Sequence, residues 1–374
     1  MGKPNIGIVT IPISEAGLTP LSNLVDILSS FSGKVCLITG GTAYTFFKGN
    51  QKVELYGVGR RPKPNTFDRV TKYISTQLSI SYKLARVSAN TNLWIFFIGG
   101  PVSLLPILSA KLFGKKVVLA YAGSDIESIR AQSKVLSKPM ELLVKLGLTL
   151  SDGIIIYSPA LLTQHNLQKY RHKISIAHRH FLDFSKFKVE KPLEKRENLI
   201  GYIGRLSEEK GILNFVEAIP KALEREDSVE ILIGGDGQLR GKVERYLNQQ
   251  NLNNKVKFVG WIPHDELPDY LNKLKLLVLP SHAEGLPNII LEAMACGTPV
   301  LATTVGAIPD VIKEGETGFI MEDNSPDCIA RNIIRALSHP NLEEIVNNAR
   351  ALVEKEYTYE KAVERYRKIL ASLK

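Results

Sequence analysis

Short apolar runs alternate with longer amphipathic stretches along the whole chain of 374 residues. Runs of this length, rich in Val, Ile and Leu, are typical of strands buried on both faces of a parallel sheet. A chain of this length is too long for a single ordinary hydrophobic core. The pattern therefore predicts an α/β fold of two doubly wound, Rossmann-like parallel-sheet domains. The predicted strands are residues 6–11, 35–39, 93–98, 117–121, 153–157, 174–177, 199–203, 229–234, 256–258, 276–279, 300–302 and 318–320.

A charged connector near residues 187–198 marks the predicted domain boundary. We assign residues 1–190 to an N-terminal domain and residues 191–356 to a C-terminal domain. Residues 357–374 form a helical pattern with no strand after it, so we expect this helix to dock back on the N-terminal domain. Ligands of such sheets bind beyond the carboxyl ends of the strands, and we expect the site in a cleft between two facing domains.

The charge is divided unequally between the two halves. Residues 1–190 hold 24 Lys/Arg and 10 Asp/Glu, giving +14, whereas residues 191–374 hold 24 and 28, giving −4. A basic half favours an anionic partner, such as a membrane surface or a phosphorylated lipid acceptor. Nucleic acid is not expected, because no basic and aromatic interleaving is present. The alternative is that these lysines are ordinary solvated surface residues that bind no anionic partner. The visible clusters are Arg60, Arg61, Lys63, Lys111, Lys115 and Lys116.

Three scattered cysteines, Cys36, Cys296 and Cys328, lack metal-ligand spacing and fit a reduced compartment. We expect no signal peptide, because residues 1–4 lead directly into the first predicted strand. The longest apolar stretch, residues 93–110, is interrupted by glycine and proline and does not predict a membrane span. We therefore expect a cytoplasmic protein, peripheral on the inner membrane face if it meets a membrane.

Two glutamates, Glu284 and Glu292, stand with seven residues between them around a predicted helix start. Pro287 suits a first helical turn, and Gly297 suits the helix end. A helical rise over eight residues separates the glutamates by at most roughly 12 Å. The free N–H groups of the helix N-terminus between them favour phosphate, so a sugar diphosphate fits the arrangement. The alternative is a loop charge and a solvated helix residue.

A second stretch predicts an anion site after a buried strand. Arg205 follows the strand at Gly204, and Lys210 stands at the N-terminus of the next helix, where a cation opposes the helix dipole. A phosphate bound between the two cations explains their positions, and an arginine grips phosphate oxygens bidentately. The alternative is that Glu208 and Glu209 neutralise both cations locally. The first strand-helix turn, by contrast, lacks the three-glycine dinucleotide fingerprint, so neither a nicotinamide nor a flavin cofactor is expected.

These two stretches, with Gly260 and Trp261 and the segment 293–300, resemble the family 4 retaining glycosyltransferases of the GT-B fold. The resemblance implies that Arg205 and Lys210 neutralise the diphosphate of a nucleotide sugar. It implies that Glu284 holds the donor hexose, Glu292 the ribose, and the backbone of 261–263 the base. The donor-binding residues it implies are Gly204, Arg205, Lys210, Trp261, Ile262, Glu284, Gly285, Leu286, Pro287, Asn288 and Glu292.

On the acceptor side the resemblance implies Gly17 and Asp125. The segment 121–126 resembles the His-Gly-Ser/Thr-Asp-Ile turn of many members, but Ala122 stands at the histidine position. The family role of that histidine therefore does not transfer, and Asp125 is the remaining polar candidate. Asp125 is either catalytic, together with Arg205, Lys210 and Glu284, or a cap of the following helix.

The resulting hypothesis is a retaining, metal-independent hexosyltransferase with a glycan, lipid-linked or small-molecule acceptor. Cationic side chains stabilise the leaving diphosphate, so neither a metal nor another cofactor is required. One alternative is a nucleotide-sugar epimerase or hydrolase on the same fold. Another is a catalytically silent subunit that binds nucleotide sugar.

Overall fold

The computed structural model describes residues 3–59, 66–121 and 134–373. The chain forms two compact units, one of Met1–Phe181 with Tyr359–Lys374 and the other of Leu182–Thr358. Each unit is built on one parallel sheet. Among the described residues, no helix combines the length and the apolar composition that crossing a bilayer requires.

The first unit contains a sheet of seven strands in the order β3-β2-β1-β4-β5-β6-β7. Neighbouring strands are parallel, with Ile6 of β1 between Val35 of β2 and Leu93 of β4. Its central strands are buried along their whole length, as expected for strands covered on both faces. The strands are β1 (Ile6–Val9), β2 (Val35–Gly40), β3 (Val53–Val58), β4 (Leu93–Phe96), β5 (Lys116–Tyr121), β6 (Gly153–Ile156) and β7 (Ile174–Ile176).

Helices cover both faces of this sheet. The described helices are α1 (Leu18–Ser29), α2 (Thr42–Phe47), α3 (Thr66–Val87), α4 (Leu104–Leu112), α5 (Lys134–Leu150), α6 (Ala160–Gln164) and, from the end of the chain, α14 (Tyr359–Ala371). One core contains the inner side chains of α3, α4, α5 and α6, and the other contains those of α1, α2 and α14. Helix α14 contributes the buried Tyr366 to the second core, and its Tyr359 hydroxyl donates to the Asp26 carbonyl at 3.0 Å.

The second unit contains a sheet of six parallel strands in the order β10-β9-β8-β11-β12-β13. Strands β8 and β11 are neighbours although they are not consecutive, so the chain changes direction across the sheet between them. The strands are β8 (Leu199–Ile203), β9 (Glu230–Gly234), β10 (Val256–Gly260), β11 (Leu276–Leu279), β12 (Val300–Thr303) and β13 (Phe319–Met321). The described helices are α7 (Ile212–Leu223), α8 (Arg240–Gln249), α9 (Leu267–Leu271), α10 (Asn288–Ala295), α11 (Ile308–Val311), α12 (Pro326–Leu337) and α13 (Leu342–Glu356).

The predicted α/β class and all twelve predicted strands are confirmed, with ends that differ by at most two residues. Strand β3 was not predicted. It lies at the edge of the first sheet, and it carries the exposed Glu54 and a glycine, so its sequence lacks the continuous apolar run of a central strand.

The first unit ends at Phe181 rather than at the predicted residue 190. The intervening residues hydrogen-bond within the second unit. The Leu182 N–H donates to the Tyr357 carbonyl at 2.9 Å, and the Glu190 N–H donates to Asn272 Oδ1 at 2.8 Å. These contacts place the whole segment 182–190 in the second unit. Because the composition of this segment is typical of a charged linker, these contacts were not predicted from the sequence.

Candidate active site

A cavity of about 540 Å³ lies in the second unit at the carboxyl ends of β8, β9, β10 and β11. Because β8 and β11 are the strands between which the chain changes direction, this is the switch point at which open α/β sheets bind ligands. We name it the switch-point cavity. Its lining includes Tyr202, Ile203, Gly204, Arg205, Lys210, Gly235, Asp236, Trp261, Ile262, His264, Leu267, Leu279, Ser281, Glu284, Pro287, Asn288, Ile289 and Glu292.

The turn after β8 holds the two predicted cations. A 3-10 turn at Glu208–Lys210 ends in Gly211, which has a φ of 68°. A Cβ added at Gly211 would lie 1.9 Å from the Pro280 carbonyl oxygen, so only glycine lets this turn pack against the end of β11. The His282 N–H donates to the Glu209 carbonyl at 2.9 Å and ties the same turn to the loop after β11. The two loops are therefore fixed to each other.

Lys210 and Glu284 form an ion pair inside the switch-point cavity. The Lys210 ammonium lies 2.6 Å from both carboxylate oxygens of Glu284, and the Ser281 hydroxyl donates to Oε1 at 2.8 Å. The Glu284 side chain is only 6% exposed and that of Lys210 is 22% exposed. Lys210 and Glu284, which were predicted from separate motifs, are therefore in direct contact.

Arg205 differs from Lys210 in its surroundings. Its guanidinium pairs with Glu209 at 3.2 Å, and its side chain is 61% exposed at the cavity edge. Local neutralisation by the neighbouring glutamates therefore applies to Arg205 and not to Lys210, whose acidic partner is Glu284. An exposed arginine in such a weak pair remains able to turn toward an anion.

Helix α10 begins beside Glu284. Pro287 is the N-cap, with a ψ of 127°, and the helix starts at Asn288, one residue later than predicted. Asn288 and Ile289 line the cavity, so the first-turn N–H groups of α10 are directed at it. Gly285 and Leu286 are not among the lining residues. Leu286 is buried, and the Gly285 carbonyl accepts from the Ala307 N–H at 2.8 Å, so both support the loop from behind.

Glu292 lies on α10 and is 5% exposed. A carboxylate buried among apolar residues requires a partner, and the partner is His264, whose Nε2 lies 2.9 Å from Glu292 Oε1. The hydrogen bond to Glu292 raises the pKa of His264 above its ordinary value. The His264 ring also packs against Phe187, with centroids 5.3 Å apart. Sequence reasoning missed His264, although it follows Trp261 in the loop that was predicted to hold the base.

The far wall of the cavity comes from the turns after β9 and β10. Ile262 is buried, whereas Trp261 is 76% exposed at the rim. Gly235 has a φ of 130°, and a Cβ there would lie 1.9 Å from the Gly204 carbonyl oxygen. This close approach makes Gly235, with Asp236, part of the cavity wall.

Tyr202 is a further cavity residue that the sequence did not single out. Its hydroxyl donates to the Arg205 carbonyl at 2.8 Å and so orients the turn that carries Arg205. Burial, with the charge of Glu284 as a smaller cause, raises the pKa of Tyr202. Its phenol therefore stays protonated and remains a donor.

The other end of α10 is held by a buried arginine. The Arg196 guanidinium donates to the Cys296 carbonyl at 2.7 Å, to the Thr298 hydroxyl at 2.8 Å and to the Leu274 carbonyl at 3.0 Å. Arg196 is 4% exposed, and burial lowers its pKa to about 10. A cation at a helix C-terminus complements the helix dipole.

Of the acceptor-side predictions, Gly17 is not among the residues that line this cavity. Gly17 lies in the first unit, at the N-cap of α1. Asp125 lies outside the described residues, as do Arg60, Arg61 and Lys63. The roles assigned to Gly17 and Asp125 stay predictions.

Comparison with known proteins agrees with this geometry. Residues 183–365 match the family model of glycosyl transferases group 1. This segment belongs to that family. The group 1 segment spans the β8 turn, the loop after β11 and α10, so it includes every residue of the switch-point cavity.

Curated relatives of the chain carry glycosyltransferase names. An uncharacterized glycosyltransferase of Methanocaldococcus jannaschii is 36% identical over 165 residues, which is 44% of this chain and 42% of that protein. N-acetyl-alpha-D-glucosaminyl L-malate synthase of Bacillus anthracis is 26% identical over 314 residues, 80% of each chain. For several other relatives the chain spans less than half of their length.

Solved structures share the fold over nearly the whole chain. HepE of Anabaena in complex with UDP aligns with a TM-score of 0.77 and 17% identity over 98% of this chain and 99% of that one. A glycosyltransferase from Rickettsia africae aligns with a TM-score of 0.76 and 17% identity over 100% and 99%. The two parallel-sheet units are those of the GT-B fold, as predicted.

Proposed function

We propose that the chain is a retaining glycosyltransferase that moves a hexose from a nucleotide diphosphate sugar to an acceptor hydroxyl. One observation carries the proposal: the switch-point cavity gathers Arg205, Lys210, Glu284, Glu292 and the N-terminus of α10 around about 540 Å³. Cations and helix N–H groups suit a diphosphate, and the two carboxylates suit sugar hydroxyls at either side of it. The family of the segment and the names of the relatives support the same reaction.

The diphosphate would lie between Arg205, Lys210 and the first turn of α10. An ammonium has three donors, and the Glu284 carboxylate occupies two of those on Lys210, so one remains for a phosphate oxygen. Arg205 would leave the exposed Glu209 pair and bind the phosphate bidentately. Both cations then stabilise the negative charge that grows on the leaving diphosphate as the glycosidic bond breaks.

The two carboxylates would position the sugars. The Glu292 oxygen Oε2 is available to a ribose hydroxyl while Oε1 is bound to His264. The Glu284 oxygens would accept from hexose hydroxyls with the lone pairs that Lys210 and Ser281 leave free. The exposed ring of Trp261 stands at the rim where the base would lie.

The finer features of the reaction belong to the same proposal. Same-face attack with retention lets the leaving phosphate take the proton of the acceptor hydroxyl. No metal is required, because Arg205, Lys210 and the helix dipole supply the positive charge that a divalent ion would provide. We propose a glycan, lipid-linked or small-molecule acceptor bound by the first unit, and a cytoplasmic setting at the inner face of an anionic membrane.

A thermal-shift panel of UDP, GDP and ADP with their sugar conjugates tests donor binding. UDP is the first to examine, because HepE was solved with UDP and with UDP-glucose. A ligand at one hundred times its Kd stabilises the folded state by about 2.7 kcal/mol. We expect a shift with one nucleotide, lost in Glu292→Ala and retained in Glu224→Ala, which changes an exposed glutamate at the end of α7. No shift with any nucleotide would contradict the proposal.

Donor consumption then separates transfer from the alternatives. A transferase releases nucleoside diphosphate rapidly only when an acceptor is present. Equally rapid consumption of the donor alone would instead indicate an epimerase or a hydrolase, and nucleotide binding without turnover on any acceptor class would indicate a silent subunit.

A further inference from the structure

Exposed apolar side chains are concentrated on one side of the first unit. Ten of the fourteen large hydrophobic side chains that are exposed among the described residues lie on α3, α4 and α5 or directly after α4. Helix α4 packs against both α3 and α5, so the three helices form one continuous layer on the sheet. We name their solvent side the outer helical face. Its apolar residues are Val70, Ile74, Leu78, Tyr82, Leu105, Leu108, Leu112, Phe113, Leu142 and Leu146.

Helix α3 shows that this exposure is patterned. Val70, Ile74, Leu78 and Tyr82 recur at intervals of four, so they form a line along one side of the helix. The core side of α3 is occupied by other residues, including the fully buried Ile80. A helix that covers a sheet next to water needs only one apolar side, with polar residues opposite. The second apolar side therefore indicates a second partner.

The charged residues of the same helices are mainly basic. Among their described side chains, six are cationic and one, Glu141, is acidic. Lys111 is neutralised by Asp152 at 2.6 Å, which leaves five cations on α3 and α5. The six cationic residues are Lys72, Lys83, Arg86, Lys111, Lys138 and Lys145.

We propose that the outer helical face docks on an anionic lipid bilayer. The exposed leucines and Phe113 would enter the interface between headgroups and acyl chains, and the lysines and Arg86 would contact anionic headgroups. A second copy of the chain is the weaker candidate, because two equally basic faces would repel each other. This inference names the surface for the membrane setting proposed above and rests on that part of the proposed function.

The surface differs from the one expected from sequence. That expectation relied on the basic N-terminal half and its lysine and arginine clusters. The structure instead identifies α3, α4 and α5, of which α3 and α4 contribute eight of the ten apolar residues if Phe113 is counted with α4. Leu112, at the end of α4, is 87% exposed. Its side chain is the clearest candidate for insertion.

Flotation with lipid vesicles tests the proposal. The full chain is mixed with vesicles of phosphatidylcholine alone or with added phosphatidylglycerol. We expect binding only to the anionic vesicles, weakened by salt. Each lysine near an anionic surface contributes roughly fivefold in affinity, so Lys138→Gln with Lys145→Gln should weaken binding about 25-fold. Ile74→Ser with Leu78→Ser should weaken it about tenfold through lost apolar burial.

Matched controls lie on the opposite side of the same sheet. Phe46 and Lys48, on and just after α2, are exposed and do not belong to the outer helical face. Phe46→Ser and Lys48→Gln should bind anionic vesicles as the parent chain does. Equal losses in the control and test variants would overturn the proposal, as would the absence of binding to anionic vesicles.

Fluorescence quenching tests insertion directly. Leu112→Trp should gain emission that brominated lipids quench, whereas Phe46→Trp should not. Light scattering of the parent chain without lipid reports self-association: a dimer that Ile74→Ser with Leu78→Ser dissociates would overturn membrane docking in favour of a second copy. Every variant should keep the nucleotide-induced thermal shift, so loss of flotation with that shift intact separates this inference from the donor-binding proposal.

Discussion

The switch-point cavity and the outer helical face use charge in opposite ways. In the cavity, two carboxylates are buried and each has a basic partner, Lys210 for Glu284 and His264 for Glu292. The helices of the outer helical face carry five cations together with exposed apolar side chains, and Glu141 is their one described acidic side chain. Groups that are already oriented toward one another can act on a small ligand without reorganisation. Cationic and apolar side chains that are exposed together can instead bind a large surface that has no fixed arrangement of contact points.

The first prediction tests the cavity side of this comparison through its most exposed cation. Arg205→Ala should lower the rate of nucleoside diphosphate release by about 10²–10³-fold, since one positive charge that stabilises the leaving group is lost. The melting temperature should stay near that of the parent chain, because the Arg205–Glu209 pair is exposed. Arg245→Ala on α8 is the matched control. A rate equal to that of the control would remove Arg205 from the mechanism.

The second prediction contrasts stability in the two regions. Lys210→Met leaves the Glu284 carboxylate, 6% exposed, with only the Ser281 hydroxyl, so the free energy of unfolding should fall by about 2 kcal/mol. Adding Glu284→Gln should restore part of it. Leu78→Ser on the outer helical face should change it by less than about 0.5 kcal/mol, because the side chain is exposed. Urea unfolding measures the free energy of unfolding of all three variants. Equal losses in Lys210→Met and Leu78→Ser would contradict the predicted difference between the two regions.

The third and smallest effect concerns pH. Because the pKa of His264 is raised in the folded state, its pair with Glu292 stabilises fully below the ordinary histidine pKa of about 6.5. That contribution is lost as the pH rises through the raised value. The melting temperature of the parent chain should therefore fall more than that of His264→Gln across this window. His172→Gln, in the first unit, should keep the parent slope, and an identical slope in His264→Gln would exclude the pair as the cause.

Much of the cavity is predictable because its signals are local. Arg205 and Lys210 lie within one strand-turn-helix unit, and Pro287 and Gly297 bound the helix that carries Glu292. The Lys210–Glu284 pair was not predicted, since only the parallel pairing of β8 with β11 brings two distant segments together. His264 was missed for the same reason.

The outer helical face is harder to predict from sequence. Each of its helices is an ordinary amphipathic pattern when considered alone, and the apolar line on α3 is not distinguishable from a core side without the sheet order. Strand β3 was missed because an edge strand tolerates Glu54 among its apolar residues. Sequence patterns thus identify buried elements and compact motifs, whereas surfaces assembled from distant helices require the fold.

Arg196 has a consequence for how the second unit opens. Its guanidinium joins the segment before β8 to the Cys296 carbonyl at the end of α10 and to the Leu274 carbonyl just before β11, so α10 cannot detach without exposing a buried cation and its acceptors. Local opening of α10 should therefore cost nearly as much as unfolding the whole unit. In hydrogen exchange, the amides of Glu292 and its neighbours should then be among the slowest in the unit, so the carboxylate that we propose to bind the ribose lies in its most persistent element.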